Sequence, residues 1–217
     1  MGTVGRVAAV KFDPDIHKRR SIRLSGYDYT SAGFYFITVC VQDRECLLGE
    51  IANGEMVLNA AGRMVERIWQ ELPDNYPGIG IDTYVVMPNH FHGIIVINDD
   101  VGAGPRACPG LEPDPRACPD SHGSQGEGHP QGGAPTEVLS LPDVVHRFKS
   151  LTTARYRQGV NHHNWPPFTG KLWQRNYYER IIRNEDELHN TRQYIRDNPM
   201  QWEIDDENPA NHRNNTP

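Results

Sequence analysis

One stretch limits the possible folds more than any other: Tyr84-Val85-Val86-Met87-Pro88-Asn89-His90-Phe91-His92-Gly93-Ile94-Ile95-Val96-Ile97. It reads as a strand, a tight break at Pro88-Asn89 and a second strand. Successive side chains of an extended chain point to opposite faces, so His90 and His92 share one face and Phe91 points the other way, into a core. Two imidazoles on one face can hold one divalent metal between them. With ten His in 217 residues the triplet alone is a weak signal. Its position carries more, because it opens an apolar strand whose continuation, Ile94 to Ile97, needs no polar residue.

The length suits one domain spanning 1–217, with material left over. A net charge of −6 argues against a simple polyanion binder, but it hides a pattern. Between Ser140 and Arg183 eight Arg and Lys face two acids, and the N-terminal piece adds Lys11, Lys18, Arg19, Arg20 and Arg23. A local basic surface on an acidic protein is compatible with nucleic acid; a solvated, salt-laced surface is the competing reading. Four Cys without a C-x-x-C pair suggest neither a disulfide framework nor a zinc ribbon. The chain shows no signal peptide and no apolar run near 18 residues. The expectation is a cytoplasmic protein with no membrane segment.

Along the chain, Arg19-Arg20-Ser21-Ile22-Arg23-Leu24 is either an extended arm that touches phosphates or a disordered tail. Gly33 to Gln42 reads as a strand. Leu47 to Leu58 holds a second short strand with a turn at Asn53-Gly54. Asn59 caps a helix to about Leu72, with Met64, Ile68 and Leu72 on one side, ended by Pro73-Asp74-Asn75-Tyr76-Pro77-Gly78. From Asn98 to Val138, Gly and Pro make up 15 of 41 residues, too little apolar area to offset chain entropy. The 98–138 segment is therefore read as a flexible insertion, and His122 and His129 within it as non-ligands.

Ser140-x-x-Asp143 with Pro142 starts a helix whose buried stripe is Val144, Val145, Phe148 and Leu151, with Arg147, Lys149, Arg155 and Arg157 outward. Gly159 and 161–167 close it, which puts His162-His163 in a loop. Leu172 to Arg183 reads as a strand interleaving aromatics with Arg175, Arg180 and Arg183. That mixture suits stacking on bases and pairing with phosphates; core aromatics plus surface Arg is the alternative. Asn184 caps a last helix to about Asn198, where Pro199 ends it. Tyr194 and Asn198 share a face, about 100° from the apolar side marked by Leu188 and Ile195. A polar tail, expected to fray, begins at about 203.

Combined, His90 and His92 supply two nitrogen ligands, Asn198 could add an oxygen, and Tyr194 lies one turn before it. A phenol with an ordinary pKa of about 10 is a poor nucleophile at neutral pH. A metal on a phosphate withdraws charge from phosphorus and stabilises the leaving oxygen. Tyrosine attack conserves the phosphodiester energy in a covalent bond, so it suits strand transfer better than degradation. Tyr177 and Tyr178 are alternatives; helix position and the partner Asn198 favour Tyr194.

Five runs carry a resemblance: RRSIRLSGYDYTSAGFYFITV (19–39), VVMPNHFHGIIVI (85–97), FKSLTT (148–153), LWQRNYYERIIRN (172–184) and YIRDNP (194–199). Together they resemble the REP-associated tyrosine transposases of the single-tyrosine HUH transposase superfamily. The resemblance implies a ferredoxin-like α+β HUH fold, an antiparallel sheet with helices packed against it. It implies His90 and His92 as the metal pair, Asn198 as third ligand, Mg²⁺ or Mn²⁺ as the ion, and Tyr194 forming a 5′-phosphotyrosine. It also implies a nucleoid-associated location in the cytoplasm and, as partner, single-stranded DNA beside a hairpin of a repeated extragenic palindrome, handled by a monomer or homodimer. Arg19, Arg20, Arg23, Arg147, Lys149, Arg175, Arg180 and Arg183 are the expected DNA contacts. Competing readings are a domesticated hairpin binder without chemistry, a metal-dependent nuclease using water, and a replication initiator or relaxase.

Overall fold

Alternation along two strands builds both faces of the molecule. The computed structural model describes residue 24 and residues 26–98 and 139–212. Arg19, Arg20 and Arg23, and the insertion from 99 to 138 with His122 and His129, lie outside the described residues. Strand β1 is Gly33–Cys40, β2 Gly49–Ala52, β3 Glu55–Leu58, β4 Ile79–Val86, β5 His90–Ile97 and β6 Tyr178–Ile182. Helices are α1 Ala60–Gln70, α2 Leu72–Asn75, α3 Leu141–His163, α4 Glu185–Asp197 and α5 Pro209–His212, with a 3-10 segment at Pro199–Ile204.

The main sheet has four antiparallel strands in the order β4-β5-β1-β6. With β2-β3 set aside as a separate hairpin, the chain runs β-α-β-β-α-β, the ferredoxin-like plan of α+β structure. On one face Tyr35, Ile37 and Val39 of β1 join Phe91 and Ile95 of β5 and pack under Val65 and Trp69 of α1 and Val144 and Phe148 of α3. On the other, Phe36, Ile94 and Ile182 pack under Leu188 and Ile195 of α4. The second cluster is much smaller, and it adjoins the histidines.

Three helix starts follow the capping rules. Asn59 accepts from the Gly62 N–H, Ser140 forms a full capping box with Asp143, and Asn184 accepts from the Glu187 N–H. Several expectations are corrected. Residues 47–58 form two strands, not one, because Asn53 (φ 54°) and Gly54 (φ 78°) give the double left-handed turn that closes a two-residue hairpin. The Pro73-Asp74-Asn75 run ends α1 but makes α2, since proline is tolerated in a first helical turn. Gly159 lies inside α3, and His162 and His163 form its last turn up to Asn164 in the left-handed cap. A Cβ at Gly159 would stand 2.1 Å from Trp165 Cε3, so glycine is there to let the indole lie against the helix. Leu151 is 43% exposed rather than buried. Thr152 faces the core instead, its hydroxyl donating to the Phe148 carbonyl and accepting from Trp173 Nε1.

The strand expected over Leu172 to Arg183 shortens to β6. Trp173 forms only a single bridge to Val41, and the Gln174 N–H donates to the Cys40 carbonyl. Asn198 adopts αR geometry (φ −56°, ψ −43°) despite Pro199, because the chain continues directly into the 3-10 turn. Residues 203–212 do not fray. The Asn208 side chain caps the turn into α5 and bonds the Trp202 carbonyl, while Asn211 bonds the carbonyls of Glu203 and Asp205. No helix among the described residues is long and apolar enough to cross a membrane.

Candidate active site

The site begins where β5 leaves the Pro88-Asn89 break. His90 pairs with Cys40 and His92 with Thr38 across the sheet, so both imidazoles lie on the α4 face and are buried. Their Nε2 atoms stand 3.0 Å apart. Each Nδ1 is held from behind. Asn89 Nδ2 donates to the carbonyls of Arg44 (2.9 Å) and Glu207 (2.7 Å), which turns Asn89 Oδ1 toward His90 Nδ1 at 2.9 Å. An amide oxygen only accepts, so His90 carries its proton on Nδ1 and presents a bare lone pair at Nε2. His92 Nδ1 bonds the Thr38 hydroxyl at 2.8 Å. Such bonds to the rear nitrogen fix the ring orientation of a metal-binding histidine.

Burial pushes both imidazole pKa values down. For His90 the nearby charges of Asp205 and Glu207 oppose the shift; for His92 the proximity of His90 deepens it. Both rings are therefore neutral at neutral pH, the form that ligates metal.

α4 brings the other two expected residues to the same face. The Tyr194 ring lies 5.3 Å from that of His92 and 5.9 Å from that of Phe36, centroid to centroid. Although Tyr194 is 45% exposed, its phenol is pushed up to about 12, chiefly by burial and then by the charge of Asp205, while Asn198 lowers it. An unaided phenol here stays protonated. Asn198 is 3% exposed. Its side chain is close enough to act on both His90 and Tyr194, yet its Oδ1 reaches hydrogen-bond geometry with no partner among the described residues. A buried, orphaned carbonyl oxygen beside two neutral imidazoles is a donor set that suits a divalent cation. No three His, Cys, Asp or Glu side chains gather closely enough to hold a metal among the described residues. The set is instead two imidazoles and an amide, with Asp205 Oδ2 standing off at 3.8 Å from His90 Nε2.

Asp205 and Glu207 are the participants that the sequence hid, since both sit in the segment expected to fray. Glu207 Oε2 accepts from Arg44 Nε at 2.8 Å, and the Glu207 N–H donates to Asp205 Oδ1 at 2.7 Å. The Trp202 ring lies 6.1 Å from His90. Burial raises the Asp205 pKa, and His90 opposes the rise. The available clue was Asn208-Pro209, a cap followed by a first-turn proline, which announces a folded end.

The expected basic contacts separate into two groups. Arg180 lies on β6 opposite Phe36, on the α4 face, and its Nη2 is 3.8 Å from Glu187 Oε1. Arg183 follows β6 and Arg175 precedes it, both exposed. Arg147 and Lys149 belong to α3, across the sheet from the histidines. The Arg147 guanidinium stacks 5.1 Å from the Tyr76 ring. Lys149 does not project outward as expected: Nζ donates to the carbonyls of Gln174 (2.7 Å) and Arg175 (3.0 Å), tying α3 to the approach to β6.

No protein-family model matches the chain. Among solved structures, a REP-associated tyrosine transposase bound to a REP hairpin aligns with a TM-score of 0.46 and 18% identity, over 78% of this chain and 68% of that one. A second, from Deinococcus radiodurans with a provisional transposase description, aligns with a TM-score of 0.41 and 16% identity, over 80% and 95%. Superpositions this partial assign no chemistry to side chains. The sequence relationship is stronger: an uncharacterized protein of Haemophilus influenzae is 40% identical over 195 residues, covering 90% of this chain and 96% of that protein. The chain belongs to the same family as this Haemophilus influenzae protein.

Proposed function

We propose that this protein is a metal-dependent DNA strand transferase of the tyrosine HUH kind, which cleaves and rejoins single-stranded DNA beside a hairpin. The observation that carries the reading is the meeting, on one face of one chain, of two facing imidazole nitrogens 3.0 Å apart and a tyrosine ring 5.3 Å from the second imidazole. The five sequence runs that resemble REP-associated tyrosine transposases support it and supply the expected substrate class.

His90 and His92 with Asn198 would hold Mg²⁺ or Mn²⁺, and that ion, when bound, withdraws charge from phosphorus and stabilises the leaving oxygen. The chain does the rest. Asn89 and Thr38 keep both Nε2 atoms turned to the site. Tyr194 Oη attacks phosphorus: the Oη–P bond forms, the P–O3′ bond breaks, and a 5′-phosphotyrosine and a free 3′-hydroxyl result. As the bond forms the phenol proton passes to a base, for which Asp205 is the carboxylate whose charge acts most on Tyr194, and the departing O3′ takes up a proton to become the free hydroxyl. Attack by the released or another 3′-hydroxyl reverses the step and rejoins DNA. Because Tyr194 lies beside the histidines of its own chain, the reading favours use of the tyrosine in cis. Arg180 and Arg183, beside the site on β6, are the cations best placed for phosphates; Arg19, Arg20 and Arg23 remain candidates for the same task.

The test is a labelled single-stranded hairpin incubated with Mn²⁺ and resolved on a denaturing gel. A covalent protein–DNA adduct is expected, absent from Tyr194→Phe and abolished by chelator. Cleavage that survives Tyr194→Phe would assign water as nucleophile, and hairpin binding without cleavage would leave a binding protein; either outcome overturns the reading.

A further inference from the structure

Another buried polar group lacks a hydrogen-bond partner among the described residues, and it lies away from the histidines. Glu179 of β6 pairs with Ile37 of β1 and points to the α1/α3 face. It is 8% exposed, and neither carboxylate oxygen has a hydrogen-bond partner among the described residues. A desolvated carboxylate without donors is costly, so a group that supplies donors there is bound favourably. Glu179 lines a cavity of about 150 Å³ together with Leu24, Tyr29, Tyr35, Ile181 and the two cations Arg180 and Arg183. Space of about this size takes one six-membered ring, here between the Tyr29 and Tyr35 rings, Leu24 and Ile181 on the apolar side and the Glu179 carboxylate on the polar one.

We propose that this cavity is a base-reading pocket for one unpaired cytosine of a single-stranded DNA, a site that rests on the DNA-processing reading above. The carboxylate accepts from the N4 amino group, as acidic side chains do when they read cytosine. Thymine presents O4 at the same place, and two acceptors repel. Purines exceed a single ring. Arg183, exposed at the end of β6, carries only donors, which match a flanking phosphate, while the Arg180 side chain stands on the other face of the sheet and meets the strand beyond the pocket. Arg180 links this pocket to the candidate active site, because it also stands on the α4 face opposite Phe36, whose ring touches Tyr194. A strand seated here turns around β6, the last strand of the sheet among the described residues, toward the phenol.

The experiment measures binding of fluorescent oligo(dC) and oligo(dT) to the full-length protein by anisotropy, at one fixed salt concentration. The expected result is at least ~5-fold tighter binding of oligo(dC), the lower end of what one base contact discriminates. Glu179→Gln should bring the ratio to about one, because an amide can both donate to and accept from thymine. Arg183→Ala should weaken both oligonucleotides and leave the ratio in place. A ligand-side control needs no protein variant: oligonucleotides of N4,N4-dimethylcytosine, which lack the amino donors, should bind like oligo(dT). Equal binding of oligo(dC) and oligo(dT), or a preference that survives Glu179→Gln or dimethylation, overturns the pocket alone. Failure to bind any of these oligonucleotides also overturns the pocket, whereas the DNA-processing reading falls only if the labelled hairpin gives no covalent adduct.

Discussion

The two faces of the sheet are built from alternate residues of the same strands, and they do opposite things. Under α1 and α3, β1 and β5 contribute Tyr35, Ile37, Val39, Phe91 and Ile95 to a large aromatic and aliphatic core. Under α4, the intervening residues Phe36 and Ile94 join Ile182, Leu188 and Ile195 in a small apolar patch that gives way to two buried imidazoles, an amide oxygen without a partner among the described residues and a half-exposed phenol. Buried polar groups without full partners cost stability. A four-stranded sheet can carry them on one side because hydrophobic burial on the other supplies the offset. The division separates two roles: the candidate catalytic groups lie on the thin face, while the thick one carries most of the apolar core.

The sharpest way to break this comparison is at Tyr194. Tyr194→Phe should abolish the covalent DNA adduct while shifting the unfolding midpoint by less than ~1 kcal/mol, since the ring and its contacts with Phe36 and His92 remain. Adduct formation at wild-type level would place the chemistry elsewhere. Next in size is Phe148→Ala on the thick face, where the ring touches Phe91, Trp69 and Trp173. A loss of about 3–5 kcal/mol in denaturant unfolding is expected. If Ile195→Ala under α4 costs as much, the two faces share the load and the comparison fails.

Gly159→Ala should cost roughly 1–3 kcal/mol, because the new methyl group lands on the Trp165 indole. Trp165 fluorescence should change with it; an unaltered spectrum and midpoint would show that the indole can move freely. The smallest effect concerns how α4 is held. Arg192 donates from Nε and Nη2 to the two Asp82 oxygens at 2.9 and 2.7 Å, fastening the helix to β4. These hydrogen bonds hold the Asp82 carboxyl down at about 2, against a smaller opposing effect of burial. A carboxyl lowered on folding contributes stability above its ordinary pKa of 3.8 and loses it as pH falls toward 2. Arg192→Ala should remove about 1 kcal/mol or less near neutral pH, after discounting for solvent screening, and flatten the acid limb of the stability curve between those values. An unchanged acid limb would show that other carboxylates dominate it.

Much of this architecture is legible one element at a time. The caps at Asn59, Ser140 and Asn184 are local chemistry, in which a short polar side chain meets the free N–H groups of the turn that follows it. The shared face of His90 and His92, and that of Tyr194 and Asn198, follow from the repeats of strand and helix alone. That α4 lays its polar stripe on the histidines was not local: an offset of about 100° from Leu188 and Ile195 leaves Tyr194 and Asn198 free of the buried side, and only the packed helix seals Asn198 while leaving Tyr194 half-exposed. The errors share a form. Lys149 was counted as a surface cation, yet two carbonyls from beyond α3 capture it. Leu151 was counted as core, yet Thr152 takes the inward position because Trp173 offers its hydroxyl a donor.

The chain by itself determined the principal strands, the starts of the three capped helices and which side chains travel together on a face, because these depend on backbone geometry over a few residues. Only the tertiary structure decided that Asp205 stands beside His90, that Glu207 braces Asn89 through its carbonyl, and that Glu179 is buried with no hydrogen-bond partner among the described residues. Whether a polar group is buried, and what compensates it, is fixed by residues brought from more than a hundred positions away, as Glu207 is to Asn89. No short-range pattern encodes that distance, which is why the acids of the C-terminal segment looked like solvated tail until the fold closed over them.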